Sequence, residues 1–205
     1  MAVIKSGVTS DLLTIDPTSK AARTTIYDSS GREISLGGKA TYTGCTGAFT
    51  PPATPTDMCT IYGSATKTIR VLACFIAGLQ TATGINLFNL IKRSTIDTGG
   101  TPVACATLCS IDSTDANPTA TINHYTANPA ALGTVVGNLR AARVCCPIAT
   151  GLIVPPYNLL AFTESDELSK LPTLRGVAQG LAVNFAGAAL PGGLTMAVEW
   201  VWLEE

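Results

Sequence analysis

The chain has 205 residues, with 13 Lys and Arg against 14 Asp and Glu, so its net charge is -1. That balance lacks the basic footprint of a nucleic-acid-binding protein, and 46% hydrophobic against 13% charged residues is the reverse of a disordered composition. Charge at about half the usual share of roughly 25%, with a mean hydropathy of +0.33, leaves too few charges to solvate a free surface, so other protein is expected to cover much of it.

A membrane is not the expected cover. The longest apolar run, residues 71–79, is far short of the roughly 20 residues of a spanning helix, and Arg70 and Gln80 bracket it. Near the N-terminus, Asp11 and Asp16 leave no room for the apolar stretch of a signal peptide. A protein made and used without export is expected.

In chain order, residues 1–36 read as an extended arm ending in a hairpin, and residues 37–205 as a β-sandwich domain. The arm's apolar residues are sparse, and Pro17 interrupts them. Val3, Ile4, Leu12, Leu13 and Ile15 are its buriable surface and are expected to anchor it on a neighbouring protein. β-formers at 23–27 and 33–36 flank the Asp28-Ser29-Ser30-Gly31-Arg32 turn, which signals the hairpin. Pro51, Pro52 and Pro55 then exclude a central strand over 50–57.

Strand signals follow at 66–76, 84–93, 103–111, 119–125, 139–146, 159–163, 174–177, 181–185 and 195–202. In the first of these, Ile69, Val71, Ala73 and Phe75 share one face and Leu72, Cys74 and Ile76 the other, so both faces of its second half read as buried. In the last, Met196, Val198, Trp200 and Trp202 share a face, which predicts buried tryptophans rather than a sugar-stacking platform. Residues 130–139 are the one stretch conceded to a short helix. Many strands with turns every ten or so residues predict an all-β, antiparallel, jelly-roll-like sandwich.

Chemistry-bearing constellations are scarce. The one histidine, His124, lies mid-strand between Asn123 and Tyr125 and reads as a half-exposed strand residue rather than a catalytic base. The acidic run Glu164-Ser165-Asp166-Glu167 reads as a solvated turn. Lys92-Arg93 and the pair Arg140 and Arg143 form no stripe with interleaved aromatics, so no nucleic-acid partner is expected. The seven cysteines include no C-x-x-C and only one histidine accompanies them, so no metal is expected. Cys74 and Cys105 sit in apolar runs and are expected to be reduced and buried. No catalytic residue and no cofactor is expected.

Residues 21–34 (Ala-Ala-Arg-Thr-Thr-Ile-Tyr-Asp-Ser-Ser-Gly-Arg-Glu-Ile) resemble the N-terminal region of tailed-bacteriophage virion structural proteins. Residues 175–185, with Leu190-Pro191 and Glu199-Trp200, resemble their C-terminal end, and 91–95 with 98–101 resemble their middle. The cysteines and Trp202 depart from the polar Glu-Trp-Thr-Glu-like tail of such proteins. The resemblance implies a non-enzymatic virion component assembled in the host cytoplasm. An arm before a compact β-domain favours a capsid decoration (cement) protein, homo-oligomeric and trimeric, bound to the major capsid protein lattice. The alternative is a tail, fibre or adsorption protein contacting the host surface; a depolymerase ranks behind both.

Overall fold

The computed structural model describes residues 39–52, 56–148, 157–161, 171–187 and 189–205, together with the backbone of four two-residue strands nearer the N-terminus. The chain divides into two units, Met1–Lys39 and Ala40–Glu205. In the first unit, β1 (Thr14–Ile15) pairs antiparallel with β2 (Ala22–Arg23), and β3 (Ile26–Tyr27) with β4 (Glu33–Ile34). The Ile26–Ile34 and Tyr27–Glu33 register is the hairpin that the Asp/Ser/Gly turn predicts. The side chains of Val3, Ile4, Leu12, Leu13 and Ile15 lie outside the described residues, as does the 164–167 acidic run.

The second unit is an antiparallel β-sandwich. Its strands are β5 (Thr41–Cys45), β6 (Asp57–Tyr62), β7 (Thr68–Leu79), β8 (Asn86–Arg93), β9 (Thr101–Ala104) and β10 (Thr107–Ser110). They continue with β11 (Thr121–Ala127), β12 (Val135–Val144), β13 (Tyr157–Ala161), β14 (Thr173–Arg175), β15 (Gly180–Phe185) and β16 (Thr195–Glu204). The first sheet runs β10-β5-β16-β7-β13, with β14 also on β7, and the second runs β12-β8-β15-β6-β11-β9. Two six-stranded sheets exceed the eight strands of a minimal jelly roll.

The core fills the space between the sheets. Met196, Val198, Trp200 and Trp202 of β16 are all buried there, as their alternation predicts. Each tryptophan N–H finds an acceptor: Trp200 Nε1 donates to Cys59 Sγ at 3.3 Å and Trp202 Nε1 to Glu204 Oε1 at 3.0 Å. Gly44 sits where a Cβ would come within 2.7 Å of the terminal methyls of both Ile122 and Leu108, so a larger residue would force both side chains to shift.

Several expectations are corrected. A β-bulge at Leu72, marked by Val201 opposite Ala73 but Trp202 opposite Val71, shifts the phase of β7. Ile69, Val71, Cys74 and Ile76 are therefore buried while Leu72 and Phe75 are half-buried, and the second half of the strand does not bury both faces. The run 103–111 is not one strand. The chain turns at Cys105, leaving β9 on the second sheet and β10 on the first. Residues 130–139 form no helix, and β12 begins within them. β6 begins at Asp57, directly after the prolines, and is a fully buried strand inside the second sheet.

Candidate functional site

The register places alternate residues of the second sheet on its outer face, away from the sandwich core. Tyr62 of β6 lies opposite Gly180, which lies opposite Arg93, and Asp57 lies opposite Asn184. A bulge at Met58 turns Asp57 to this face. Gly180 lacks the Cβ that would strike the Tyr62 ring at 2.6 Å, so the ring can lie flat across β15.

On this face the polar residues form one buried network. Arg93 makes a two-pronged pair with Asp57, its Nη2 at 2.7 Å from Oδ1 and its Nε on Oδ2, and both side chains are buried. Asn184 Nδ2 donates to the same Asp57 carboxylate. Arg93 Nη1 donates to the carbonyl of Gly133, and the Gly133 N–H donates to Asp97 Oδ1 at 2.8 Å. The Asp97 N–H donates to Tyr62 Oη at 3.0 Å, and Tyr62 and Tyr125 share a hydroxyl contact at 3.4 Å. Asp97 Oδ2 is buried without a partner. Burial raises the Asp97 carboxyl to about 6, with the Asp57 charge adding to the rise and the Gly133 N–H and Arg93 opposing it.

The network fastens two loops onto the sheet, one spanning 94–100 and the other 128–134. Backbone bonds zip them together: Ser94 N to Thr134 O at 2.9 Å, Thr98 N to Ala131 O at 2.9 Å, and Ala131 N to Thr98 O at 3.1 Å. Gly133 is needed at the seam, because a Cβ there would overlap the Thr95 carbonyl oxygen. Beside the loops is an open cavity of about 380 Å³, lined by Tyr62, Ile96, Pro102, Asn123, Tyr125 and Val177 among others.

Among the described residues, this region carries the densest run of exposed apolar side chains. Leu132, Val135, Val136 and Leu139 are 42%, 55%, 61% and 44% exposed. β12 forms the edge of the second sheet, and Val136 and Leu139 are its two bulged residues, each lacking a partner in the β8 register. Bulges interrupt the ladder and turn side chains outward, so this edge offers side chains rather than an unbroken row of backbone groups.

The residues singled out from the sequence are dispersed. His124 is buried, not half-exposed: its ring lies 4.5 Å from that of Phe49, and desolvation lowers its pKa and favours the neutral ring. Lys92 and Arg93 point to opposite faces; Lys92 Nζ donates to Thr173 O at 3.0 Å across the sandwich, while Arg93 is in the network. Arg140 and Arg143 stand exposed on β12. Cys74 and Cys105 are buried, as are Cys59 and Cys146, whereas Cys45, Cys109 and Cys145 are exposed. Burial pushes the Cys59 thiol up to about 12. The Cys105 Sγ donates to the Cys45 carbonyl at 2.8 Å, pinning the corner where the chain changes sheets.

Sequence reading did not find Asp57, Asp97, Asn184 or Glu204. Two signals were available: Asn184 interrupts an otherwise apolar strand, and Asp57 opens a run of strand formers after a proline loop. Neither reveals that Asn184 meets Asp57, or that Asp57 pairs with an arginine. Comparisons with protein-family models, curated proteins and solved structures return no match to this chain.

Proposed function

We propose that the chain is a non-enzymatic structural component of a tailed-bacteriophage particle, a capsid decoration protein that binds the major capsid protein lattice as a homotrimer. The observation that supports this reading most is the β12 edge. A sandwich with a full core between its sheets still exposes Leu132, Val135, Val136 and Leu139 within one eight-residue stretch of a chain with few charges. Apolar side chains grouped in this way mark protein contact rather than free surface. The bulges at Val136 and Leu139 direct that contact through side chains.

In this reading the N-terminal residues add a second attachment. Val3, Ile4, Leu12, Leu13 and Ile15 anchor the arm on a neighbouring protein, because ordering a backbone costs about 1–2 kcal/mol per residue and the arm's own apolar surface is small. Copy number per particle tests the function. Quantitative mass spectrometry of purified particles should find hundreds of copies. A few copies per particle would place the chain in a tail or fibre and overturn the decoration reading; none would overturn the virion reading.

A further inference from the structure

The network on the outer face of the second sheet holds two carboxyl groups and one guanidinium. Asp57 accepts three hydrogen bonds, from Arg93 and Asn184, and Oδ2 keeps one of its acceptor positions. Asp97 has Oδ1 filled by the Gly133 N–H, and Arg93 Nε stands 3.8 Å from the same oxygen. Asp97 Oδ2 is buried with no donor. A buried carboxylate oxygen without a donor costs free energy, and with both acids ionised the cluster carries a net negative charge away from water.

The groups facing Asp97 come from every element packed around it: Asp57 and Tyr62 from β6, Arg93 from β8, Tyr125 from β11 and the Gly133 amide from the 128–134 loop. The Asp97 N–H already occupies Tyr62 Oη, and the Tyr125 hydroxyl is paired with Tyr62. Arg93 Nε pairs with Asp57 Oδ2 and stands 3.8 Å from Asp97 Oδ1, so one guanidinium nitrogen holds the two carboxyls beside each other. Two carboxylates cannot bond each other, but a carboxylic acid and a carboxylate can.

We propose that Asp57 and Asp97 are an acid pair that holds one proton between them, and that this proton fastens the 94–100 and 128–134 loops to the sheet. The proton comes from solvent and forms an O–H bond on Asp97 Oδ2, which donates to the Asp57 carboxylate. The cluster is then neutral: one ionised acid, one guanidinium and one neutral acid. When the proton leaves, two carboxylates face each other and the strain falls on the loop that carries Asp97. Because Ile96 and Leu132 ride on these two loops, the presentation of the exposed apolar surface beside them becomes proton-linked.

Amide hydrogen exchange of the full chain, read by mass spectrometry from about pH 4 to about pH 8 and corrected for intrinsic exchange, tests this. Peptides covering 94–100 and 128–134 should lose protection as pH rises from about 4 to about 6, by up to tenfold per pH unit where opening frees the acid, and level off above that. Core peptides from β16 should show no such step. Asp97→Asn should remain protected across the range, since its amide donates to Asp57 while its oxygen still accepts from Gly133. In parallel, carbon NMR of the wild-type aspartates should show one carboxyl titrating near 6. A flat wild-type exchange profile, an Asp97→Asn profile with the same step as wild type, or aspartates all titrating near the ordinary value of about 4 would each overturn the proposal. Should Asp97→Asn fail to fold, the wild-type profile and the carboxyl titration decide alone.

Discussion

Glu204, on the last strand of the first sheet, accepts hydrogen bonds from both the backbone and the side chain of Thr119, just before β11 of the second sheet. The Thr119 N–H lies 2.8 Å from Oε1 and its Oγ1 lies 2.7 Å from Oε2. The same carboxylate accepts from the Ala120 N–H and the Trp202 indole, each at 3.0 Å. Glu204 is thus a buried clasp between the two sheets near the C-terminus. Glu204→Ala leaves these donors without partners, and each buried group so left costs about 1–3 kcal/mol. A loss of about 3 kcal/mol in urea-unfolding free energy is expected; a loss below about 1 kcal/mol would show that water replaces the clasp.

Arg93 is expected to be the costliest single polar residue to remove. Arg93→Met keeps most of the side chain's volume but leaves Asp57 and Asp97 buried together with no cation. Breaking one partner from a buried pair costs about 3–5 kcal/mol. Equilibrium denaturation should show a drop of that size. Asp57→Asn combined with Arg93→Met should recover part of it, because one of the stranded charges has been removed. Failure of the second change to recover any stability would mean that Arg93 acts through packing rather than charge.

The inward-facing pattern of the sandwich was legible where a strand is regular. β16 alternates without a break over its tryptophans, and the sequence shows which face they bury. β7 was misread because its bulge at Leu72 arises from pairing with β16, and a local pattern carries no information about a partner strand. β6 was missed because three prolines stop immediately before it, and β5 because Gly44 interrupts its apolar pattern at a position where Ile122 and Leu108 crowd the backbone. The Asp57, Arg93 and Asp97 network joins residues 36 and 4 positions apart in sequence. Nothing local marks Asp57 and Arg93 as partners, since their meeting depends on both strands flanking β15.

Stability should depend on pH through Asp97. Its folded-state pKa lies above the unfolded value, so the folded chain holds the proton more tightly. Its contribution is fully present below about pH 4 and is lost as pH rises to about 6, after which it is constant. The stability of Asp97→Asn relative to wild type should therefore grow from pH 4 to a plateau by about pH 7. The gain is bounded by about 3 kcal/mol and reduced by solvent screening. Thermal melts of both proteins across this range check the sign; a difference that shrinks as pH rises would refute it.

Gly133→Ala is expected to release the loops without removing a charged residue. The new methyl would overlap the Thr95 carbonyl, which is backbone and cannot rotate aside as a side chain would. The loops should then open, with faster proteolysis within 94–100 or 128–134 and a loss of about 1–3 kcal/mol, the usual range for overpacking. Unchanged proteolysis would show that the seam can spread at little cost.

The exposed β12 edge permits a separation of assembly from stability. Val136 and Leu139 are bulged residues on an edge strand, 61% and 44% exposed. Neither is among the buried core residues. Replacing both with Lys should change unfolding free energy by no more than about 0.5 kcal/mol, as for ordinary surface sites. If this edge is covered by another protein in the particle, the same change forces two charges into that contact, where an unpaired charge costs several kcal/mol. The double variant should therefore fold like wild type yet be lost from particles, and its self-association should weaken if the edge lies between copies. Incorporation at the wild-type level would show that the edge faces solvent in the particle and that attachment runs through another surface.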